Sequence, residues 1–297
     1  MSKDDILRLI ADRTTTEGLT PSGLPGVSLF RVTEPVPCIP AVYEPCIVAI
    51  VSGEKETVLD GKRYVYDASQ YLCCPVSMPV NAGTPTASPE APLFGVLVSL
   101  DPRVMTTIAM EMENAGGAAA RSNAEPRAQG IRLARWAPDF TDALLRLLQL
   151  TGDETDIAIL GEARLRELYY AVLKGEAGGF ARQAFSPANA ISRSIAHVSA
   201  NLEADISIDD LANRAGMSRA AFHRKFKEAT TMAPIQFVKS MRLNSAAMNI
   251  AGGMTVNEAA FGVGYASASQ FSREFKRMYG QSPKQWGSAQ QRATEIA

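Results

Sequence analysis

The sequence predicts an α+β protein in which a β-rich N-terminal domain precedes an all-helical C-terminal domain. Three observations support this class. Short β-prone runs separated by Gly, Pro and Asp fill residues 27–100, helical apolar spacing follows from residue 142, and one pattern near the C-terminus occurs twice, 49 positions apart. With 297 residues the chain is long enough for two domains that each bury a core.

The N-terminal runs have the length and composition of β-strands. They cover residues 27–32, 47–51, 57–59, 64–66, 71–74 and 94–98. Asp60-Gly61 lies between two of these runs and predicts a hairpin turn. Because many short strands at this spacing are typical of a barrel or jelly roll, we expect a cupin-like β-barrel effector or sensor domain over residues 1–110.

The middle of the chain has helical patterns. Apolar residues recur at helical spacing over residues 142–150 and 157–173. We expect residues 111–185 to be a helical region that packs against the barrel. The more specific interpretation is that this region also forms a dimer interface. The Gly-rich run 175–179 predicts a helix end, and Ser186-Pro187 begins the linker into the C-terminal domain, residues 186–297.

The repeated pattern is Ser-x3-Phe-x-Arg-x-Phe-Lys-x6-Pro-x-Gln-aromatic, and it begins at Ser218 and again at Ser267. Each copy follows a short helical run and a glycine turn, which predicts two helix-turn-helix units over about 208–229 and 256–279. Hydroxyl residues followed three positions later by an acid begin each unit, the N-terminal signal of a helix. From Pro234 a further helix over roughly 235–250 would hold the two units at a fixed separation.

Each second helix has an apolar and a polar face. Phe222 and Phe226, like Phe271 and Phe275, are spaced i, i+4 and predict a buried face. The opposite stripe is small, polar and basic, which suits entry into a DNA major groove. The predicted DNA-binding residues are Ser218, Arg219, Ala220, His223, Arg224, Lys227, Ser267, Ala268, Ser269, Ser272, Arg273 and Lys276. A solvated basic face is the plainer interpretation, but it gives no reason for the same offsets to repeat.

Charge is divided unevenly along the chain. Residues 186–297 hold 13 Lys+Arg and 8 Asp+Glu, a net charge of +5, while residues 1–185 hold 17 and 23, a net charge of −6. A basic domain attached to an acidic one is expected of a nucleic-acid reader joined to a domain that does not contact phosphate.

Residues from about 190 to 290 resemble the DNA-binding domain of the AraC/XylS family of bacterial transcription regulators. The matching segments are 211–212, 216–218, 222–227, 234–237, 241–243, 259–265, 269–276 and 280–283. Segments 43–55, 64–67 and 75–79 also resemble the N-terminal domain of one subgroup of this family, the AraC-type regulator N-terminal domain. Members often carry a basic run after the position of Leu243, whereas residues 244–248 are neutral here.

The resemblance implies a homodimeric, sequence-specific transcription activator that binds double-stranded promoter or operator DNA. An unknown small-molecule effector would control it, and RNA polymerase is a further partner. A cytoplasmic module that binds small molecules or proteins, but not DNA, is the alternative. No run of about 18 apolar residues exists and the N-terminus is acidic, so we expect a cytoplasmic protein without a membrane partner.

The sequence argues against an enzyme. Metal cupins bind through histidines, but His197 and His223 are the only histidines and both lie in the C-terminal domain. No Gly-rich phosphate loop, His-Glu-x-x-His helix or Gly-x-Ser-x-Gly elbow is present. We therefore expect no catalytic residue, no metal and no cofactor.

Four cysteines, Cys38, Cys46, Cys73 and Cys74, lie in the predicted barrel. Adjacent residues of a strand point to opposite faces, so Cys73 and Cys74 would not bind one metal together. Buried free thiols are the plainer interpretation. The alternative is a thiol-based sensor of oxidants or electrophilic aldehydes acting through the same DNA-binding domain, with Cys38 and Cys46 as the sensor thiols.

Overall fold

The computed structural model describes residues 3–116 and 130–296. Its N-terminal part is built on ten strands within those residues. They are β1 (Gly18–Pro21), β2 (Val27–Val32), β3 (Val36–Tyr43), β4 (Cys46–Ser52), β5 (Glu54–Leu59), β6 (Lys62–Asp67), β7 (Gln70–Cys74), β8 (Met78–Thr84), β9 (Leu93–Ser99) and β10 (Arg132–Arg135). A larger sheet has the order β1-β2-β9-β4-β7-β10 and a smaller one the order β3-β8-β5-β6, with antiparallel neighbours throughout.

The two sheets face each other across an apolar interior, as expected for a cupin-like domain, although hydrogen bonds between the described strands do not close them into one barrel. The predicted hairpin is confirmed. β5 pairs with β6 from Glu54↔Asp67 to Leu59↔Lys62, and Asp60 and Gly61 both have positive φ, 48° and 77°. Those angles are typical of the two-residue turn that matches the twist of the strands.

Among the described residues, five helices accompany the sheets: α1 (Lys3–Arg13), α2 (Pro102–Gly116), α3 (Pro138–Gln149), α4 (Glu154–Lys174) and α5 (Gly178–Phe185). Alternation along β4 explains how they pack. Ile47, Ala49 and Val51 share a core with the helices, whereas Val48 and Ile50 belong to the interior between the sheets. The expected packing of the helices against the β-domain is thus confirmed.

The expectation of a helical region over residues 111–185 is wrong at one place. β10 lies within it and pairs with β7 from Arg132↔Cys73 to Arg135↔Gln70, which extends the larger sheet. β10 has only four residues, two of them arginines, so no alternation predicts it, and only pairing with β7 makes it a strand. β3 was also missed because it contains Pro37 and Pro40, which an edge strand tolerates.

The C-terminal part is all-helical. Its helices are α6 (Ala190–Ala200), α7 (Ile208–Arg214), α8 (Arg219–Thr230), α9 (Pro234–Ala251), α10 (Val256–Gly262), α11 (Ala268–Tyr279) and α12 (Pro283–Ile296). We name α7–α8 the first unit and α10–α11 the second unit; α9 is the linker helix. The predicted faces are confirmed, since Phe222, Phe226, Phe271 and Phe275 are fully buried.

Candidate nucleic-acid interface

The first unit begins and turns as its sequence predicts. The Ser207 side chain accepts a hydrogen bond from the amide of Asp210, and the Ser218 side chain accepts one from the amide of Ala221. Each bond satisfies an amide that a helix N-terminus leaves free. Gly216, between the two helices, has φ +65°, a left-handed conformation that glycine adopts without strain.

The second unit repeats these features more completely. Thr255 and Glu258 form a reciprocal capping box, and the Ser267 side chain accepts from the amide of Gln270. Gly264 has φ +84°, and a Cβ there would lie 2.7 Å from the carbonyl oxygen of Leu202 and 2.8 Å from that of Glu203. Glycine is therefore needed at this turn both for its φ and for the close approach of the segment after α6.

The two polar stripes lie on the outer sides of α8 and α11. We name Ala220, His223, Arg224 and Lys227 the first reading face, and Ser269, Ser272, Arg273 and Lys276 the second reading face. Arg224, Lys227, Arg273, Lys276, Ala220 and Ser269 are exposed, and His223 and Ser272 are half-buried. Of the remaining predicted residues, Ser218, Arg219 and Ser267 are exposed and Ala268 is half-buried.

Each reading face carries two cations without an ion pair. Within residues 3–116 and 130–296, the side chains of Arg224, Lys227, Arg273 and Lys276 form no ion pair. Arg219 differs because its Nη1 lies 3.2 Å from the Asp209 carboxylate. A paired guanidinium is less available for phosphate, so the four unpaired cations are the stronger candidates for DNA contact.

Acidic Glu274 lies beside the second reading face but is neutralised by its neighbours. It accepts a hydrogen bond from the Tyr265 hydroxyl at 2.9 Å and lies 3.3 Å from Lys239 Nζ of the linker helix. Although partial burial opposes the shift, the bonds from Tyr265 and Lys239 lower the pKa of Glu274. This network connects the turn between α10 and α11, α11 itself and the linker helix.

The linker helix is attached to the β-domain, a feature that the sequence did not reveal. Asn244 is buried, and its amide nitrogen donates to the carbonyl oxygens of Ala41 on β3 and Val80 on β8, both at 2.8 Å. Its oxygen accepts from the Tyr279 hydroxyl of α11 at 2.6 Å. The amide nitrogen and the oxygen of this one side chain thus connect the β-domain to the second unit.

Further contacts border this attachment. The amide of Val42 donates to Met248 Sδ at 3.2 Å, and Ser199 of α6 donates to the Glu44 carboxylate at 3.0 Å. Met248 itself lies at the edge of the contact with β3 and is 44 % exposed. Within the neutral run 244–248, Asn244 and Met248 thus face the β-domain, whereas Ala246 and Ala247 pack into the core of the second unit. A basic side chain at the buried position 244 would be costly.

A cavity of about 440 Å³ lies between the β-domain, the segment around α5 and α6, and the first unit. Its mainly apolar walls include Val76, Phe180 and Ile195. Lys225 and Ala229 of α8 also border it, on the side of that helix away from the first reading face. Anything that fills this cavity contacts both the β-domain and a reading helix.

The surroundings of the two predicted sensor thiols favour the protonated thiol over the thiolate. Cys46 is buried, and burial raises its pKa. Cys38 is half-buried; burial, followed by the nearby Glu56 carboxylate, raises its pKa as well. Because the thiolate is the reactive form, both environments oppose thiol chemistry.

In the part of the chain that the structure describes, no group of three or more His, Cys, Asp or Glu residues is arranged to hold a metal ion. No described helix is both long and apolar enough to cross a membrane.

Two family models match the chain. The model for the N-terminus of AraC-type transcriptional regulators matches residues 23–180, and a helix-turn-helix domain model matches residues 211–289. HTH-type transcriptional regulator MtrA of Neisseria gonorrhoeae is 36 % identical over 85 residues, 28 % of each chain. An uncharacterized HTH-type transcriptional regulator of Haemophilus influenzae is 40 % identical over 83 residues, again 28 % of each chain. The matched segment therefore spans little more than a quarter of these relatives.

Solved structures share the fold over nearly the whole chain. An apo variant of ToxT from Vibrio cholerae aligns with a TM-score of 0.58 at 15 % identity, covering 92 % of this chain and 98 % of that one. Wild-type ToxT with a bound unsaturated fatty acid aligns with a TM-score of 0.58 at 12 % identity, covering 88 % and 94 %. Because the N-terminal family model covers more than half of the chain, the protein belongs to the AraC/XylS family of transcription regulators.

Proposed function

We propose that the protein is a sequence-specific DNA-binding transcription regulator, and that a small molecule bound by its N-terminal domain controls it. The observation that carries this proposal is the pair of reading faces, each on a capped helix and each with an unpaired arginine and lysine at equal offsets. Arginine on such a helix reads guanine edges, and lysine at its end contacts phosphate. All twelve residues predicted from the sequence remain the proposed interface.

The proposed division of labour follows the sequence boundaries: a sensor over 1–110, a helical region over 111–185 and a DNA-binding domain over 186–297. β10 completes a sensor sheet from inside the second segment, so the first two segments act as one body. No enzymatic activity is part of the proposal, and the proposed setting is the cytoplasm.

Control by a small molecule needs a physical route from sensor to reader, because an effector acts only if it binds two states unequally. The Asn244 attachment and the cavity beside α8 supply such a route. In ToxT the same fold holds an unsaturated fatty acid, which supports a ligand-binding role for the fold but does not identify this chain's ligand.

Homodimerisation is also proposed, through α2 and α4. Their outer surfaces expose large apolar side chains: Met110 is 49 %, Ile159 71 % and Tyr170 46 % exposed. Exposed apolar surface of this kind is typical of protein interfaces. RNA polymerase is retained as a further partner on the family resemblance alone.

Selection of DNA fragments by the purified full-length protein, with and without cell metabolites, tests the function. We expect enrichment of a motif with two half-sites and an affinity that falls steeply with salt. A variant carrying both Arg224→Ala and Arg273→Ala is the control that should lose the motif. Salt-independent binding, or no enrichment of any sequence, would instead favour a module that contacts proteins or small molecules only.

A further inference from the structure

The linker helix has two halves, and each half packs against a different unit. Phe237 and Met241 belong to the apolar cluster that contains the core of the first unit. Leu243 and Ile250 belong to the core of the second unit. Arg242 is half-buried and lies between Met241 and Leu243, at the position of the helix where one core ends and the other begins.

The Arg242 side chain fastens the segment that leads into the first unit. Its Nε donates to the carbonyl oxygen of Leu202 at 2.9 Å, and its Nη2 donates to that of Ala204 at 2.7 Å. Both carbonyl groups lie in the loop between α6 and α7. Leu202 and Ile206 of this loop pack against the cluster that contains the first unit's core, so the loop is held to that unit.

The same loop lies against the turn of the second unit. A Cβ at Gly264 would lie 2.7 Å from the Leu202 carbonyl oxygen and 3.0 Å from Arg242 Nη2. At Gly216, the turn glycine of the first unit, a Cβ would meet no heavy atom of the described residues within 4 Å, apart from its chain neighbours. The close approach at Gly264 is therefore a contact between the units and not a requirement of the motif. We name Arg242, residues 202–204 and Gly264 the junction.

The junction is connected to the second reading helix through Tyr265, which follows the turn glycine. The Tyr265 ring centroid lies 5.3 Å from that of Phe271 on α11, and the Tyr265 hydroxyl donates to Glu274 at 2.9 Å. Glu274 is also paired with Lys239, which lies one turn before Arg242 on the linker helix. Packed rings and hydrogen bonds thus join the junction to α11.

The chain connection between the linker helix and the second unit is not stiff. The linker helix ends at Ala251 and is followed by Gly252 and Gly253, of which Gly253 has φ +96°. Glycine adopts a wide range of backbone angles. Contacts between side chains and with the loop, rather than the connection itself, therefore set the direction of α10 and α11.

We propose that Arg242 is a positioning residue that fixes the two reading faces relative to each other and so sets the spacing of the DNA half-sites that the protein selects. Two linked modules gain affinity only when their linkage can span both sites. Equivalent major-groove positions recur about every 10–10.5 base pairs, so a change in the orientation of the faces appears as a change in the preferred spacing. The inference rests on the proposed function and adds the residue that sets its geometry.

Binding of the full-length protein to a set of duplexes tests this role. The set keeps the two half-sites found by DNA selection and varies the spacer between them over one helical turn, about 10 base pairs. We expect the native protein to prefer one spacer about tenfold or more over a spacer ~5 base pairs longer, which places the second half-site on the opposite side of the duplex. In Arg242→Ala this preference should fall to about threefold or less, while binding to each single half-site is retained.

Two further variants and a salt series separate positioning from other roles. Val172→Ala removes buried volume from the core of α4, away from the junction, and should keep the native spacer preference. Arg242→Lys keeps the charge but lacks the planar fork that binds two carbonyl groups, so its preference should lie between those of the native protein and Arg242→Ala. The slope of log affinity against log salt should not change in Arg242→Ala, because this guanidinium binds carbonyl oxygens of the protein.

Distances between spin labels measure the orientation of the two units without DNA. Lys225→Cys on α8 and Arg277→Cys on α11 provide exposed labelling positions outside the reading faces, and Cys38→Ser removes the half-buried native thiol. Double electron–electron resonance should give a broader distribution of distances when Arg242→Ala is added. If Arg242→Ala does not fold, Arg242→Lys replaces it in both measurements.

An equal loss of affinity at every spacer, a salt slope that falls by about 1, or an unchanged distribution of label distances overturns the inference. Selective DNA binding by the native protein without any spacer preference also overturns it, but leaves the proposed function standing. Absence of sequence-selective DNA binding removes the proposed function. The label distances then decide by themselves whether Arg242 orients the two units.

Discussion

The two helix-turn-helix units share a local construction but have different surroundings. The rings of Phe222 and Phe226 lie 5.5 Å apart, and those of Phe271 and Phe275 lie 5.4 Å apart. The core of the first unit is continuous with the interior of the β-domain, through one apolar cluster. The second unit has a core of its own, shared with the C-terminal half of the linker helix and with Trp286 of α12.

The repeated motif thus specifies a reading helix and its cap, but not the part of the protein against which the unit packs. The first unit joins the sensor through packed side chains and borders the cavity beside α8. The second unit joins it mainly through Asn244 and Tyr279. An effector would thus reach the two reading faces by different physical routes.

The largest effects are expected from variants that create a cavity in the core of each unit in turn. Phe226→Ala and Phe275→Ala should each lower the free energy of unfolding by about 3–5 kcal/mol, because each leaves a cavity in a close-packed core. Hydrogen exchange should show the loss of protection spreading into the β-domain for Phe226→Ala only. If both variants disturb only their own unit, the shared cluster does not couple the first unit to the sensor.

The reading faces should behave as separate readers. Arg224→Ala and Arg273→Ala are each expected to weaken specific binding by about 1–3 kcal/mol and to relax base preference at different half-sites. Binding to a panel of single-base operator variants measures this, with Lys284→Ala on α12 as the control. An equal loss on every sequence would identify the two arginines as phosphate contacts.

Removing the Asn244 attachment tests the second route. Asn244→Ala leaves the Tyr279 hydroxyl and two carbonyl oxygens without this partner, so we expect the free energy of unfolding to fall by about 1–3 kcal/mol. Asn249→Ala, on the same helix, serves as control in urea unfolding. A double-mutant cycle with Tyr279→Phe should show coupling, and strict additivity would contradict a joint role.

The N-caps of α7 and α10, Ser207 and Thr255, should contribute unequally to stability, but the difference is smaller than the effects above. Thr255→Ala should cost about 1 kcal/mol of stability, because it removes a reciprocal capping box, and Ser207→Ala should cost less because only one bond is lost. Denaturant unfolding of both variants, compared with Thr255→Ser, measures the difference. A larger cost at Ser207 would reverse the ranking of the two caps.

The smallest expected effect concerns the lysines at the ends of the reading faces. Lys227→Ala and Lys276→Ala should lower affinity for any duplex and reduce the slope of log affinity against log salt by about 1 each. The measurement is binding to specific and unrelated duplexes over a salt series. An unchanged slope in both variants would exclude phosphate contacts at these positions.

Many features of the C-terminal domain could be predicted from the sequence, because they depend on interactions between residues close in the chain. Ser218 and Ser267 cap helices, the phenylalanine pairs are buried, and Gly216 and Gly264 turn with positive φ, because each outcome depends on residues a few positions apart. The Asp60-Gly61 hairpin was readable for the same reason. Length, patterning and turn chemistry were enough to indicate the α+β class and the two units.

Long-range pairing decided the rest. β10 is a strand only because β7 lies beside it, and Asn244 of the linker helix is attached to the β-domain only because β3 and β8 offer carbonyl oxygens to it. Local propensities act over a few residues, so the sequence determined caps, turns and faces, whereas contacts between distant segments arose only on folding, when burial and hydrogen bonding selected one arrangement.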